Sequence, residues 1–208
     1  LDADGDVVLG PVTVLAPAAA HVSDIDAAWN PAASKYGLFW QEIHNDDIDL
    51  YFQVMEESTG TLEGSPTPLD DYFSVIGTYG GSVVADGAGW AVAWTDLVVD
   101  LVLGEIGVSW MQRFDATGAP LGPATRLSDD PPTDGGVPIL ARKPGGGFAV
   151  FVSCFDIQPE ICRLETDGAG NRLGSLTQVT PVDGARTGPN FDVAANGSDS
   201  LVVFADRA

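Results

Sequence analysis

Basic residues are few in this chain: nine lysines and arginines stand against 30 aspartates and glutamates, which gives a formal net charge of −21 over 208 residues. Such a charge repels nucleic-acid phosphates and anionic lipid surfaces, so we expect no nucleic-acid partner, and it favours cations or basic partners. It is equally typical of a highly soluble surface. No run approaches the roughly 18 consecutive apolar residues of a membrane helix, so we expect no membrane insertion.

Cysteine and histidine are also scarce. Cys154 and Cys162 have neither Cys-x-x-Cys nor Cys–His spacing, which argues against zinc binding and thiol redox catalysis. They flank a loop with Pro159, so antiparallel strands would place them opposite each other as a disulfide; two buried free thiols are the alternative. Neither His21 nor His44 has a nucleophile in a recognisable turn, and no Gly-x-Ser-x-Gly occurs.

The sequence has no initiating methionine and no signal peptide, from which we expect Leu1 to begin a trimmed or processed segment. Hydrophobic residues nevertheless make up 45% of the chain, which excludes a disordered protein. The length is sufficient to bury a sizeable core.

Self-similarity is the strongest signal. A mostly apolar element, Tyr36-Gly-Leu-Phe-Trp-Gln-Glu42, recurs from Trp90, Phe148 and Ser200, so the starts lie 54, 58 and 52 residues apart (36 to 90, 90 to 148, 148 to 200). Apolar runs of this length between turn residues predict strands buried on both faces. A shorter strand precedes each run, at 24–29, 82–85, 138–142 and 191–195. An alternating strand follows three of them, at 49–55, 106–114 and 160–164.

Each alternating strand leads through a Gly-x-x-x-Gly turn, at 60–64, 118–122 and 170–174, into a fourth strand. A further copy with one extra residue, Gly5-Asp-Val-Val-Leu-Gly10, lies near the start of the chain. The N-terminal segment therefore supplies an outer strand to the unit whose other strands lie at the C-terminus. This pattern predicts one all-β domain over 1–208, a four-bladed β-propeller closed by pairing of an N-terminal strand with C-terminal strands.

The predicted blades are about 21–70, 71–129, 136–182, and 186–208 with 1–15. The last blade lacks a clear third strand. Either residues are missing, or this blade has three strands, or a neighbouring chain fills the gap and makes an oligomer.

The repeat resembles one found in secreted and cell-surface bacterial proteins, in which Val-Val-Trp and an acidic residue precede Asp-x-x-Gly-x-x-Leu-Gly. The resemblance rests on 90–96 with Gln112-Arg-Phe-Asp115 and 118–123, and on 201–206 with Leu1-Asp2-Ala-Asp4-Gly5. It implies a β-propeller and a secreted, cell-surface or periplasmic location, and no particular activity. The third repeat departs from it at Phe151-Val152 and carries the cysteines.

Acidic residues are concentrated in the loops after the apolar strands and between blades, on what would be one rim of a propeller. Mutual repulsion there favours a bound cation or a cationic ligand; a solvated loop face is the alternative. The candidate ligand-binding residues are Glu42, His44, Asp46, Asp96, Asp156 and Asp206. The candidate ligands for a metal, for which calcium is the candidate, are Asp47, Asp100 and Asp130.

Two other features have both a ligand interpretation and a structural one. Asp2-Ala-Asp4-Gly5-Asp6 looks like a calcium loop, but its counterparts at 115–118 and 165–168 occupy hairpin turns that favour Asp and Gly for conformation alone. Trp29 and Trp90 flank turns on the opposite face, where an indole either stacks on a sugar ring or packs at the rim. The tryptophans inside strands, Trp40, Trp94 and Trp110, are predicted to pack between blades.

These signals favour a non-catalytic, exported binding module whose rigid propeller presents loops to a glycan, a peptide or a surface protein. Two alternatives remain: a metal-dependent hydrolase or lactonase-like enzyme with a carboxylate-bound divalent cation, and a structural piece of a larger surface protein.

Overall fold

The computed structural model describes residues 21–44, 47–69, 75–100, 104–129, 136–155, 159–180, 186–196 and 199–207. Over these ranges the chain forms 14 β-strands in four antiparallel sheets, numbered 1 to 4 along the chain. Within the same ranges no helix is long and apolar enough to cross a membrane. The all-β prediction is therefore confirmed.

The first two sheets have four strands each. Sheet 1 consists of β1 (His21–Asn30), β2 (Lys35–His44), β3 (Asp47–Glu56) and β4 (Leu62–Pro68). Sheet 2 consists of β5 (Val75–Asp86), β6 (Gly89–Asp100), β7 (Gly104–Phe114) and β8 (Thr125–Arg126). In both sheets each strand pairs with the next one along the chain.

The third sheet repeats this plan, and the described part of the fourth has two strands. Sheet 3 consists of β9 (Ile139–Arg142), β10 (Phe148–Phe155), β11 (Pro159–Thr166) and β12 (Arg172–Gln178). Sheet 4 consists of β13 (Arg186–Asn196) and β14 (Asp199–Arg207). The N-terminal strand predicted to complete it lies outside the described residues.

Neighbouring sheets stack through buried hydrophobic layers. Phe39, Phe52, Trp90 and Phe114 fill the layer between sheets 1 and 2, where the Phe52 and Phe114 ring centroids are 4.4 Å apart. The next layer, between sheets 2 and 3, includes Met111, Phe148 and Val150. A third cluster around Phe151 and Ile161 packs against side chains of sheet 4.

The first strands of the sheets also contact one another in sequence, β1 with β5, β5 with β9 and β9 with β13. Sheets that are stacked side by side around their first strands form a β-propeller-like fold.

One hydrogen bond recurs between these first strands. The backbone N–H of Val83 in β5 donates to Oδ2 of Asp26 in β1, at 2.9 Å. The backbone N–H of Leu140 in β9 donates to Oγ of Ser82 in β5, also at 2.9 Å. Asp26 and Ser82 hold the same place in their sheets, because each pairs with the fourth residue of the apolar element, Phe39 and Ala93 respectively. A polar side chain of one sheet thus fixes the backbone of the next.

The Gly-x-x-x-Gly turns need glycine at both ends. Both glycines have positive φ in all three described copies, including 65° at Gly64 and 76° at Gly174. The second glycine of the first and third copies lies inside the outer strand, where a register shift creates a bulge. A glutamine of the third strand stabilises two of these sites: the amide nitrogens of Gln53 and Gln112 donate to the carbonyls of Gly64 and Gly122, at 2.9 and 2.8 Å.

Cys154 and Cys162 form a disulfide with a Cα–Cα distance of 5.8 Å, so that prediction is confirmed. They are diagonal neighbours rather than directly opposed, because Cys154 pairs with Glu160 and Cys162 with Val152. The bridge links β10 to β11 on a face that packs against sheet 2.

Candidate functional site

Two of the nine predicted ligand residues, Glu42 and Asp96, have described side chains. Asp46, Asp130 and Asp156 lie outside the described residues. For the following four only the backbone is described, at the ends of β2, β3, β6 and β14: His44, Asp47, Asp100 and Asp206. His44 and Asp47 are cross-strand partners that close the β2–β3 hairpin. Within the described ranges no three His, Cys, Asp or Glu side chains are close enough to hold a metal ion.

Glu42 has a local structural role. Nε1 of Trp40 donates a hydrogen bond of 2.9 Å to Oε1 of Glu42, and the indole also stacks on Tyr51 with ring centroids 5.6 Å apart. The Trp40 side chain is almost completely buried, so this acceptor satisfies a buried donor. Glu42 therefore serves the packing of sheet 1, whatever else its second oxygen contacts.

Asp96 occupies the place in sheet 2 that Glu42 occupies in sheet 1, two residues after a buried tryptophan, Trp94. Only 2% of Asp96 is exposed. The preceding residue, Thr95, is buried as well, and its hydroxyl contacts the Ser109 hydroxyl at 3.0 Å. Of the two predicted ligand residues with described side chains, Glu42 is thus half-buried and accepts a hydrogen bond from an indole, and Asp96 is buried.

The acidic turn residues have another explanation. Oδ1 of Asp115 accepts hydrogen bonds from the hydroxyl and the backbone N–H of Thr117, at 2.7 and 2.8 Å, and from the backbone N–H of Ala119, at 3.0 Å. These bonds, led by the one from the Thr117 hydroxyl, hold the pKa of Asp115 below its ordinary value. The structural interpretation is confirmed for this counterpart; Asp2 and Asp4 lie outside the described residues.

Asp167 repeats the arrangement in sheet 3. It accepts from the side-chain amide of Asn171 at 3.0 Å and from the backbone N–H groups of Asn171 and Ala169, at 2.8 and 2.9 Å. The amide of Asn171 is the largest cause of its lowered pKa. Each carboxylate holds its hairpin turn closed.

An exposed aromatic pair lies at the opposite end of sheet 1, where β1 ends and β2 begins. Trp29 and Tyr36 are cross-strand partners whose ring centroids are 5.0 Å apart with an angle of 46° between the rings. Trp29 is 37% exposed, and Tyr36 is half-buried. The sequence pattern also pointed to Trp90, but that indole is fully buried against Gly37, where an added Cβ would lie 2.5 Å from the ring. The aromatic site is thus formed by Trp29 and Tyr36.

The turn beside this aromatic pair is anchored to sheet 2. Asn30, fully buried, donates through Nδ2 to the carbonyl of Gly89 at 2.6 Å. Its Oδ1 accepts from the backbone N–H groups of Ala32 and Ala33, at 3.0 and 3.4 Å. Every polar atom of the amide group is thus used to hold the turn, and the neighbouring rings rest on a rigid base.

Lys35, the residue before Tyr36, points toward sheet 2 and is paired with an acid of its own sheet. Its Nζ lies 2.7 Å from Oε1 of Glu63 and donates to the carbonyl of Ala116 at 3.4 Å. Because side chains alternate along a strand, this ion pair lies on the face of sheet 1 opposite to the aromatic pair, and it ties the turn to sheet 2. Sequence reasoning placed Trp29 near a turn but missed Tyr36, which it assigned to the apolar element.

Comparisons with known proteins support the fold. No protein-family model and no curated protein sequence matches the chain. The structure is similar to that of a protein of unknown function from Dyadobacter fermentans, with a TM-score of 0.62 and 11% identity over 90% of this chain and 63% of that one. It is also similar to a sucrose-6-phosphate hydrolase from Lactobacillus gasseri, with a TM-score of 0.54 and 15% identity over 76% of this chain and 33% of the hydrolase.

A third similar structure is an α-L-arabinofuranosidase from Lactobacillus brevis, with a TM-score of 0.52 and 12% identity over 89% of this chain and 65% of the enzyme. The chain spans less than two thirds of the length of each of these three proteins. At these identities the likeness extends to the fold alone.

Proposed function

We propose that this chain is a non-catalytic, exported carbohydrate-binding module. The observation that carries the proposal is the exposed Trp29–Tyr36 pair on a rigid turn. Aromatic rings offer a large apolar face at little conformational cost, which suits the apolar face of a sugar ring.

Two further observations support it. Two of the similar structures bear names of enzymes that act on sugar-containing substrates, a sucrose-6-phosphate hydrolase and an α-L-arabinofuranosidase. The disulfide between Cys154 and Cys162 is typical of proteins that fold in an oxidising compartment, which supports a secreted, cell-surface or periplasmic location.

Calorimetric titration with soluble fructo- and arabino-oligosaccharides tests this function. We expect Trp29→Ala to weaken binding at least about tenfold, because truncation of a central aromatic contact costs about 2 kcal/mol or more and about 1.4 kcal/mol is tenfold. Phe204→Ala is the matched control, since Phe204 is 40% exposed and lies on β14, in a different sheet. Equal loss in both variants would contradict the proposal, and binding only to peptides or to a surface protein would replace the glycan with that partner.

The second candidate is a hydrolase that uses loop carboxylates and a divalent cation, favoured by the names of the two similar enzymes. Incubation of the same oligosaccharides with the chain, in calcium or in chelator, separates the two functions. Calcium-dependent release of monosaccharide would establish the enzyme. Binding without release supports the module. If the chain neither binds nor cleaves these sugars, the remaining alternative is a structural piece of a larger surface protein.

We also propose that residues 1–15 complete sheet 4 and close a four-bladed ring. Sheets 1 to 3 each have four strands, whereas the described part of sheet 4 has two, and β14 pairs only with β13 among the described strands. The Gly5-Asp-Val-Val-Leu-Gly10 copy supplies a sequence for an outer strand. Completion of sheet 4 by a neighbouring chain is the alternative, and it predicts a dimer or larger oligomer in solution.

A further inference from the structure

A cavity of about 530 Å³ lies on the outer part of sheet 3, between β11 and β12. Its wall includes the bulge that contains Gly174, one charged pair and the exposed side chain of Leu173. The charged pair is Arg163 and Glu165, whose Nη2 and Oε1 atoms are 2.7 Å apart. Lys143 also contacts Glu165, at 2.7 Å.

Sheet 2 has the same cavity in a filled form. A small cavity lies at the equivalent place on sheet 2. Six of its wall residues have a counterpart 52 positions later in the wall of the sheet 3 cavity, and 52 is also the distance between the equivalent turn glycines Gly118 and Gly170 (118 to 170). These six pairs are Met111 and Arg163, Arg113 and Glu165, Leu121 and Leu173, Gly122 and Gly174, Pro123 and Ser175, and Thr125 and Thr177. In sheet 2 only about 30 Å³ of the space is left open, and Ala169 and Gly170 of the next sheet form part of the wall.

The occupant in sheet 2 is therefore a turn of the following unit. Gly170 sits so close to β7 that an added Cβ would lie 2.7 Å from Cε of Met111 and 3.3 Å from Cδ of Arg113. The same relation holds one unit earlier, where a Cβ at Gly118 would lie 3.0 Å from Cγ2 of Val54. Both glycines have positive φ, 91° and 83°, so the turn needs glycine for its conformation and for its close approach.

We propose that the cavity on sheet 3 is the docking site of the chain's own N-terminal turn, with Asp4-Gly5 in the place that Ala169-Gly170 holds on sheet 2. The sequence Asp2-Ala-Asp4-Gly5 aligns with the turn Asp115-Ala-Thr-Gly118, so its glycine falls at the required position. Twenty residues precede His21, the first residue of β1, and they provide the length for this turn and for an outer strand.

Charge favours this occupant. The N-terminal turn carries Asp2, Asp4 and Asp6, whereas the cavity wall carries Arg163 with Lys143 beside it. Within the described part of the chain, Nε of Arg163 is buried and has no hydrogen-bond acceptor. A carboxylate or carbonyl of the docked turn would supply one. The inference rests on the proposed ring closure and is independent of the proposed glycan binding.

Cysteine cross-linking tests the docking. The variant Asp4→Cys/Leu173→Cys is oxidised, digested and analysed by mass spectrometry for an intramolecular disulfide. Ala169→Cys/Leu121→Cys is the positive control, because this pair is the counterpart in the filled cavity of sheet 2. Asp4→Cys/Leu121→Cys is the negative control, because that cavity already has an occupant.

We expect a cross-link within one chain in the test variant and the positive control, and none in the negative control. A cross-link between two chains, or none in the test variant while the positive control reacts, would overturn the proposal. If the double variant does not fold, a photo-reactive residue at position 4 of the otherwise native chain gives the same readout, and it must label 173–179. The same residue at position 8 tests ring closure separately, because a closed ring places it beside sheet 4 even if position 4 misses the cavity.

Discussion

The disulfide between Cys154 and Cys162 stabilises the chain by restricting its unfolded state. It closes a loop of nine residues (154 to 162) between β10 and β11. In the chain-entropy model, closing a loop of this length lowers the entropy of the unfolded chain and so raises the free energy of unfolding by about 2.5 kcal/mol at 25 °C. For a domain of this size about 1 kcal/mol shifts the melting temperature by roughly 2–4 °C, so reduction should lower it by about 5–10 °C.

The assay is differential scanning calorimetry of the native chain with and without a phosphine reductant, and alkylation with mass spectrometry confirms the redox state. No substitution is needed, so the buried Cys162 side chain stays in place in both samples. A shift below about 2 °C with complete reduction would refute the reasoning, because the hairpin would then restrict the unfolded chain without the bridge.

Three further predictions concern single contacts. Gly37→Ala should destabilise the chain by about 1–3 kcal/mol in urea unfolding, because its Cβ would lie 2.5 Å from the Trp90 ring; an unchanged midpoint would mean that the indole moves freely. Asn30→Ala should lower the free energy of unfolding by about 1–3 kcal/mol, because the buried carbonyl of Gly89 in sheet 2 loses its donor. A loss below about 0.5 kcal/mol, the size typical of surface substitutions, would contradict this. Asp115 and Asp167 have lowered pKa values in the folded state, so their stabilisation is present above about pH 3.9 and disappears as the pH falls through the folded pKa values. The free energy of unfolding of the double variant Asp115→Asn/Asp167→Asn should therefore fall less than that of the native chain between about pH 5 and pH 2. Parallel curves of unfolding free energy against pH would show that the hydrogen bonds to these two carboxylates do not stabilise the fold.

The fold was accessible from sequence because turn residues mark the repeat so clearly. Gly, Asp and Asn between apolar runs located the hairpins that join β5 to β6 and β9 to β10. The strand bounds were less accessible. The pattern predicted a strand over 82–85, whereas β5 spans Val75–Asp86, because Gly77, Gly80 and Gly81 look like turn residues. In the structure these glycines lie within one long strand, whose pairing with β6 shifts register between Val75 and Gly77 and again between Tyr79 and Gly81.

The candidate site was harder to predict, because burial depends on partners far apart in the sequence. Trp90 and Trp29 both flank turns, but only Trp90 faces a glycine of another sheet, Gly37, whose missing side chain leaves room for the indole. The acid at the end of the apolar element looked like a loop ligand in the three repeats that have one, at Glu42, Asp96 and Asp206. In sheet 1 it accepts a hydrogen bond from the Trp40 indole, a contact that a strand pattern does not reveal.

The hydrogen bonds from Val83 to Asp26 and from Leu140 to Ser82 join successive units in one direction only. The second unit takes part in both, because its Val83 N–H donates to the first unit and its Ser82 hydroxyl oxygen accepts from the third. In the first unit the corresponding N–H, that of Ala27, donates to Oδ1 of Asp26 in the same unit. A unit that carries both halves of the joint can be copied in a gene and inserted next to its parent without a new interface. In the third unit Ile139 replaces the acceptor, and the joint with sheet 4 depends on apolar contacts around Phe151. Duplication of the second unit should thus yield a longer array that still stacks in register, whereas duplication of the third should not.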